Sequence, residues 1–134
     1  MNAVVADASA LVEYLVGSER GARVAVVIED PSVDLHTASL CDVEVVSALR
    51  GLLRGRKIEP GRARQVVQDY SELPLTRHGH LALLDRVLDL RDNFSAYDAV
   101  YLVLAEVLDA RVLTCDEALA LAMESHTPRV ELAI

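Results

Sequence analysis

Ala3-Val4-Val5-Ala6-Asp7-Ala8-Ser9-Ala10-Leu11-Val12 opens the chain with a four-residue apolar run that ends at an aspartate. A run that short and that uniformly apolar suits a strand buried on both faces, and Asp7 suits the N-cap of a helix reaching Val16. A strand that hands over directly to a helix is the beginning of a β-α-β unit, and the pattern recurs outward from here. Gly17-Ser18 breaks the first helix, residues 19–29 form a second closed by Asp30-Pro31, and a short strand covers Asp34 to His36. Ser39 caps a long helix over about residues 40–55 that ends at Gly55 and the Arg56-Lys57 turn; Pro60 stands in the first turn of a helix running to Glu72. Leu73 to His78 is a connection with room for a short strand, and Leu81, Leu84, Val87 and Leu88 give residues 79–90 helical spacing. Ser95-x-x-Asp98 starts a helix to Leu108 that is apolar nearly all round and is therefore expected to be deeply buried. Val112-Leu113-Thr114 is a buried strand, Asp116 caps a short helix, and residues 129–134 close with a last strand. Short apolar strands alternating with helices define an α/β fold, a three-layer α/β/α domain around a central parallel sheet.

At 134 residues, 52% of them apolar, the chain makes one domain with a sizeable core. The N-terminus has no basic lead and its apolar stretch is cut by Asp7 and Glu13, so it reads as neither a signal peptide nor a membrane span. Cys41 and Cys115 are far apart, lack CxxC spacing and sit in apolar sequence, as reduced core thiols of a cytoplasmic protein do. The formal charge of −8 argues against a polyanionic partner, but it hides a local bias. Arg50, Arg54, Arg56, Lys57, Arg62 and Arg64 face Glu59 alone, a local +5 that leaves −13 for the rest of the chain. A run of this kind is a solvated helix face or, beside a metal site, a strip for phosphates.

Four acids stand where this fold gathers ligands. In open α/β sheets the binding crevice lies at the carboxyl ends of the strands. Asp7 and Asp116 follow strands directly, Asp98 lies in the first turn of its helix and Glu44 in the second turn of the long one. Asp7, Asp98 and Asp116 each have an alternative as helix caps worth about 1 kcal/mol. Glu44 has none, because it sits among apolar residues where an unpaired carboxylate is costly. Carboxylates crowded together repel and persist only if a cation neutralises them or some protonate, which points to Mg²⁺ or Mn²⁺. Other chemistry finds little support. His36, His78, His80 and His126 show no ligand spacing with the cysteines and read as surface residues; no G-x-S-x-G elbow or glycine-rich phosphate loop is present. Tyr14, Tyr70, Tyr97, Tyr101 and Phe94 are too scattered for a base-stacking platform and read as core or partner contacts.

Asp7-Ala-Ser-Ala-Leu-Val-Glu13, Glu44-Val-Val-Ser-Ala-Leu-Arg50, Ser95-Ala-Tyr-Asp98-Ala-Val-Tyr-Leu and Leu113-Thr-Cys-Asp116-Glu-Ala-Leu resemble the PIN domain. Within that family the chain is similar to VapC-type toxins of type II toxin–antitoxin systems, over residues 1–134 as one domain. The resemblance implies an Mg²⁺- or Mn²⁺-dependent endoribonuclease, often a homodimer or a toxin–antitoxin hetero-oligomer, held inactive by a cognate antitoxin. Its metal-binding and catalytic acids carry over as Asp7, Glu44, Asp98 and Asp116. Ser9 and Thr114 are polar neighbours of the site, taken with Arg50, Arg54, Arg56 and Lys57 as candidate RNA contacts. Many relatives carry a basic residue two positions after the last acid, where this chain has Ala118. Leu11, Val12, Tyr14, Leu15, Val24, Val27 and Ile28 on the first two helices are expected to form a groove for the antitoxin. The alternatives are an RNA-processing PIN nuclease with no antitoxin and a module that binds RNA or protein without cleaving. A haloacid-dehalogenase or receiver phosphoryl-transfer domain is disfavoured, because Ser9 replaces the second acid of the first and Lys57 is the only lysine available to the second.

Overall fold

The computed structural model describes residues 2–127 and 129–133. Its strands are β1 (Asn2–Ala6), β2 (Val33–Ala38), β3 (Thr76–His78), β4 (Arg111–Thr114) and β5 (Val130–Leu132). The α-helices described are α1 (Ala8–Val16), α2 (Glu19–Ile28), α3 (Leu40–Arg54), α4 (Pro60–Glu72), α5 (Leu84–Asp89), α6 (Ala96–Leu108) and α7 (Glu117–Glu124). The strands pair in the order β3-β2-β1-β4-β5, and every neighbouring pair is parallel. Right-handed crossovers put α1 to α4 on one face and α5 to α7 on the other, so the three layers and the parallel sheet are as the sequence predicts. The chain order reverses between β1 and β4, which places a crevice beyond their carboxyl ends.

The centre of the sheet carries the core. Val4, Val5, Val112 and Leu113 on β1 and β4 are fully buried, and so is Leu11 of α1 against them. Each such side chain contributes roughly 1.5–3 kcal/mol when removed from water, so these strands anchor the fold more than the three-residue edges β3 and β5 do. Helix α6 is buried without a break from Ala99 to Ala105, as its all-round apolarity requires. Gly17 caps α1 in the left-handed region (φ 75°), and α2 then folds back so closely that a Cβ on Gly21 would lie 2.0 Å from the Glu13 carbonyl oxygen.

Four expectations need correction. Residues 79–90 are not one helix: a 3₁₀ turn at Leu81–Leu83 leads into the short α5, and Leu81 and Leu88 are exposed while only Val87 and Leu90 bury. The leucine spacing there reflects packing of two side chains, too few to sustain a long helix. The last strand covers Val130–Leu132 rather than residues 129–134, and Ile134 lies outside the described residues. Leu11, Val12, Leu15, Val24 and Val27 are core, with Tyr14 and Ile28 packed against it, so α1 and α2 present no groove there. Exposed apolar surface lies instead along α3 and α4, at Val43, Val46 and Val67. Finally, His36 and His78 are not loose surface residues. They stand on the same face of adjacent strands, His36 Nδ1 lies 2.8 Å from His78 Nε2, and His36 Nε2 lies 2.8 Å from Asp34 Oδ2.

Candidate active site

Asp7 is the most constrained of the four acids. It caps α1, where Oδ1 accepts the Ala10 N–H at 2.9 Å, and its own N–H donates to the Leu113 carbonyl of β4 at 3.1 Å. Ser9 Oγ donates to Asp7 Oδ1 at 2.7 Å, and Thr114 Oγ1 donates to Oδ2 at 2.5 Å. The two hydroxyls are held in turn from the next loop, since Ser9 Oγ accepts the Cys115 N–H at 3.0 Å and Thr114 Oγ1 accepts the Asp116 N–H at 2.9 Å. One hydrogen-bonded knot therefore ties the carboxyl ends of β1 and β4 together across the switch point. Thr114 is fully buried, so it positions Asp7 and cannot reach an RNA, which corrects its reading as a substrate contact.

The other three acids come from separate elements. Asp116 caps α7 by accepting the Leu119 N–H at 3.0 Å, and it is exposed. Asp98 is half-buried in the first turn of α6, whose start is fixed by Ser95 Oγ accepting the Asp98 N–H at 3.2 Å. Glu44, half-buried on α3, accepts a hydrogen bond from the Tyr101 hydroxyl on its Oε1.

The four acids act on one another in pairs. Burial pushes the Asp7 carboxyl up to about 6 despite its three donors, and the charge on Asp116 adds to the rise. Burial raises Asp98, again with help from Asp116, and burial raises Glu44 with help from Asp98. The repulsion thus runs from Glu44 through Asp98 and Asp116 to Asp7. Among the described residues no three acidic, histidine or cysteine side chains close tightly about one point. Four carboxylates with few other partners are nonetheless the all-oxygen chemistry of a hard, hydrated divalent cation that takes few direct protein ligands.

The basic run does not flank this opening. Arg54 lies ten residues beyond Glu44, about 15 Å along α3 at 1.5 Å per residue, and Arg56 and Lys57 lie in the turn after it. Arg62 donates to the Leu15 carbonyl at 2.8 Å, at the end of α1 opposite Asp7, where a cation complements the helix dipole. Arg50, Arg54, Arg56 and Lys57 are all exposed. Sequence reasoning missed Tyr101, which it took for a core or partner aromatic. The available signal is its place three residues after Asp98, hence on the same face of α6.

A model of the PIN domain matches residues 4–122, a match that spans the knot, α3 with Glu44, α6 with Asp98, and β4. The chain belongs to the PIN-domain family. It is 33% identical over 125 residues to VapC ribonuclease Mb0985 of Mycobacterium bovis, covering 93% of this chain and 94% of that one, which sets it in the VapC branch. Among solved structures the PIN fold of this chain is similar to PAE2754 from Pyrobaculum aerophilum, with a TM-score of 0.66, 22% identity, and coverage of 90% of this chain and 79% of the other. It is also similar to Mycobacterium tuberculosis VapC20, a sarcin-ricin loop cleaving toxin, with a TM-score of 0.64, 12% identity, and coverage of 89% and 94%.

Proposed function

We propose that the protein is an Mg²⁺- or Mn²⁺-dependent endoribonuclease acting as the toxin of a type II toxin–antitoxin pair. The observation that carries the reading is the buried Asp7 carboxyl, pushed up to about 6 and held by Ser9, Thr114 and Ala10 beside three further acids. A site so unfavourable to its own charge is made for a cation. Asp7 and Asp98 are its main ligands, with Glu44 and Asp116 binding directly or through water. The ion, when bound, activates a water for attack and offsets charge developing on the phosphate. The chain's part is to hold the acids in place: Ser9 and Thr114 fix both Asp7 oxygens, and the starts of α6 and α7 fix the directions of Asp98 and Asp116. His36 and His78 are engaged with each other on β2 and β3, away from the four acids in sequence and element, and no histidine is assigned as base. The products are accordingly 5′-phosphate and 3′-hydroxyl ends.

The VapC ribonuclease name of the relatives supports RNA as substrate and a cognate antitoxin as partner; an antitoxin encoded beside this chain, and a homodimer or hetero-oligomer in the cytoplasm, are parts of the same proposal. No described helix is long and apolar enough to cross a membrane. The test is cleavage of total RNA with Mn²⁺ or Mg²⁺ by the wild type and Asp98→Asn, with the ends mapped. Loss of cleavage in EDTA and in Asp98→Asn, with 5′-phosphate ends in the wild type, is expected. Equal cleavage by both proteins would rule out the site.

A further inference from the structure

Asp7, Asp98 and Asp116 share a device that Glu44 lacks. Each is a short side chain at or within the first turn of a helix, so its place is set by where that helix begins. Glu44 sits in the second turn of α3, where no orphan N–H is available to hold its carboxylate, and it reaches the crevice on a longer side chain with one more rotatable bond. Among the described residues the only hydrogen bond to its carboxylate comes from Tyr101, whose hydroxyl donates to Oε1. We propose that Tyr101 is a positioning residue that fixes the Glu44 carboxylate in the metal site and locks α3 to the helix carrying Asp98. This deepens the nuclease reading and rests on it.

Three features of Tyr101 suit it to the task. Its ring is 2% exposed within the unbroken buried stretch of α6, so packing immobilises it before any ligand arrives. It follows Asp98 by three residues on that helix, so both side chains leave the same face and the hydroxyl stands in fixed relation to the Asp98 carboxylate. A tyrosine hydroxyl gives its single proton to one oxygen, which leaves Oε2 of Glu44 without a protein donor and directed by the other half of the same carboxylate. Groups that orient a ligand in this way are worth tenfold or more in metal affinity. The surroundings reinforce the bond. The Cys41 thiol, at the start of α3, lies among the hydroxyls of Thr37, Tyr70 and Tyr101, and Tyr70 donates to Asp42 on the same helix at 2.5 Å, so α3 is tied at its first turn as well as its second.

Tyr101→Phe keeps the ring and removes only the donor. The full chain would be titrated with Mn²⁺ alone by calorimetry, beside Glu44→Gln, the double variant and Asp98→Asn, with melting of each metal-free protein as the control for folding. The expected result is a metal-free melt close to wild type and Mn²⁺ binding weakened about tenfold in Tyr101→Phe. Because Tyr101 acts through Glu44, adding Tyr101→Phe to Glu44→Gln should weaken binding by less than twofold more. In RNA cleavage the loss should lie in kcat at limiting Mn²⁺, with KM for RNA unchanged, and excess Mn²⁺ should restore the rate. Wild-type Mn²⁺ affinity in Tyr101→Phe would overturn the assignment and leave the nuclease reading intact. A full additional loss in the double variant would likewise reduce Tyr101 to a packing residue. Absence of Mn²⁺ binding in the wild type itself would remove the nuclease reading, and this inference with it.

Discussion

Replacing Asp7 with asparagine should make the metal-free protein more stable at neutral pH while destroying its activity. The carboxyl moves from 3.8 in the unfolded chain to about 6 in the folded one, roughly two pH units at 1.36 kcal/mol each, or about 3 kcal/mol. The direction follows from proton binding. An acid whose folded value is raised holds its proton more tightly in the native state, so its share of stability is intact below pH 4, declines as pH rises from about 4 to about 6, and is fully lost above. Asparagine has no charge to desolvate and escapes this loss. Its hydrogen bonds can all be met: Oδ1 keeps Ser9 and the Ala10 N–H, and Nδ2 donates to Thr114 Oγ1. The Thr114 proton then turns to Ser9 Oγ, 3.2 Å away. Urea unfolding in EDTA, at half-unit steps from pH 4 to 8, should show the variant gaining on the wild type by about 3 kcal/mol between pH 4 and 7 and then running parallel to it. Saturating Mn²⁺ binds only the folded wild type with a full ligand set, so it should narrow or reverse the gap at pH 7. A difference that does not change with pH, or a variant less stable at pH 7, would refute the claim that burial of charge at Asp7 dominates the site.

Two further outcomes follow from the rest of the structure. Gly21→Ala places a Cβ 2.0 Å from the Glu13 carbonyl oxygen, a backbone atom that cannot rotate away, so it should cost about 2 kcal/mol or more, read as a lower urea midpoint at unchanged slope. An unchanged midpoint would mean that α1 and α2 are free to part. Neutralising Arg54, Arg56 and Lys57 together should leave cleavage of a short oligonucleotide unaffected, because Arg54 lies about 15 Å from Glu44 along α3 and the other two follow in the turn beyond its end. For a long single-stranded RNA it should flatten the slope of log K against log salt by about 2 if all three meet phosphates; an unaltered slope returns the run to plain solvated surface.

The layers and the sheet were legible because their signals are local. Ala3 to Ala6 and Val112 to Thr114 can be little other than buried strands, and the burial of α6 follows from apolar residues on every side. What misled was amphipathic spacing in short segments. Leu81, Leu84 and Leu88 fall at helical intervals yet are exposed, and Leu11, Val12, Leu15, Val24 and Val27 look surplus to a small sheet until the five-stranded order shows how much surface α1 and α2 must cover. Periodicity states which residues share a face. It does not state what that face meets.

The site divides along a similar line. Three of the candidate acids, Asp7, Asp98 and Asp116, stand out in the sequence because each follows a strand or opens a helix, positions that the parallel topology sends to one edge, whereas Glu44 is marked only by its apolar neighbours. The supports do not stand out, because Ser9 meets Thr114 across 105 residues and Glu44 meets Tyr101 across 57, and nothing local marks either pair. The histidines illustrate the same point from the other side: His36 and His78 look idle in sequence, yet parallel pairing of β2 with β3 sets their rings 2.8 Å apart at the closest nitrogens, with Asp34 on the far nitrogen of His36. Acids at strand and helix ends announce themselves by topology, whereas the hydroxyls that hold them are chosen by packing. A search for positioning residues in such a domain therefore starts from buried tyrosine, serine and threonine one helical turn or one strand end away from an acid, and in this chain that search leads to Tyr101 and Thr114.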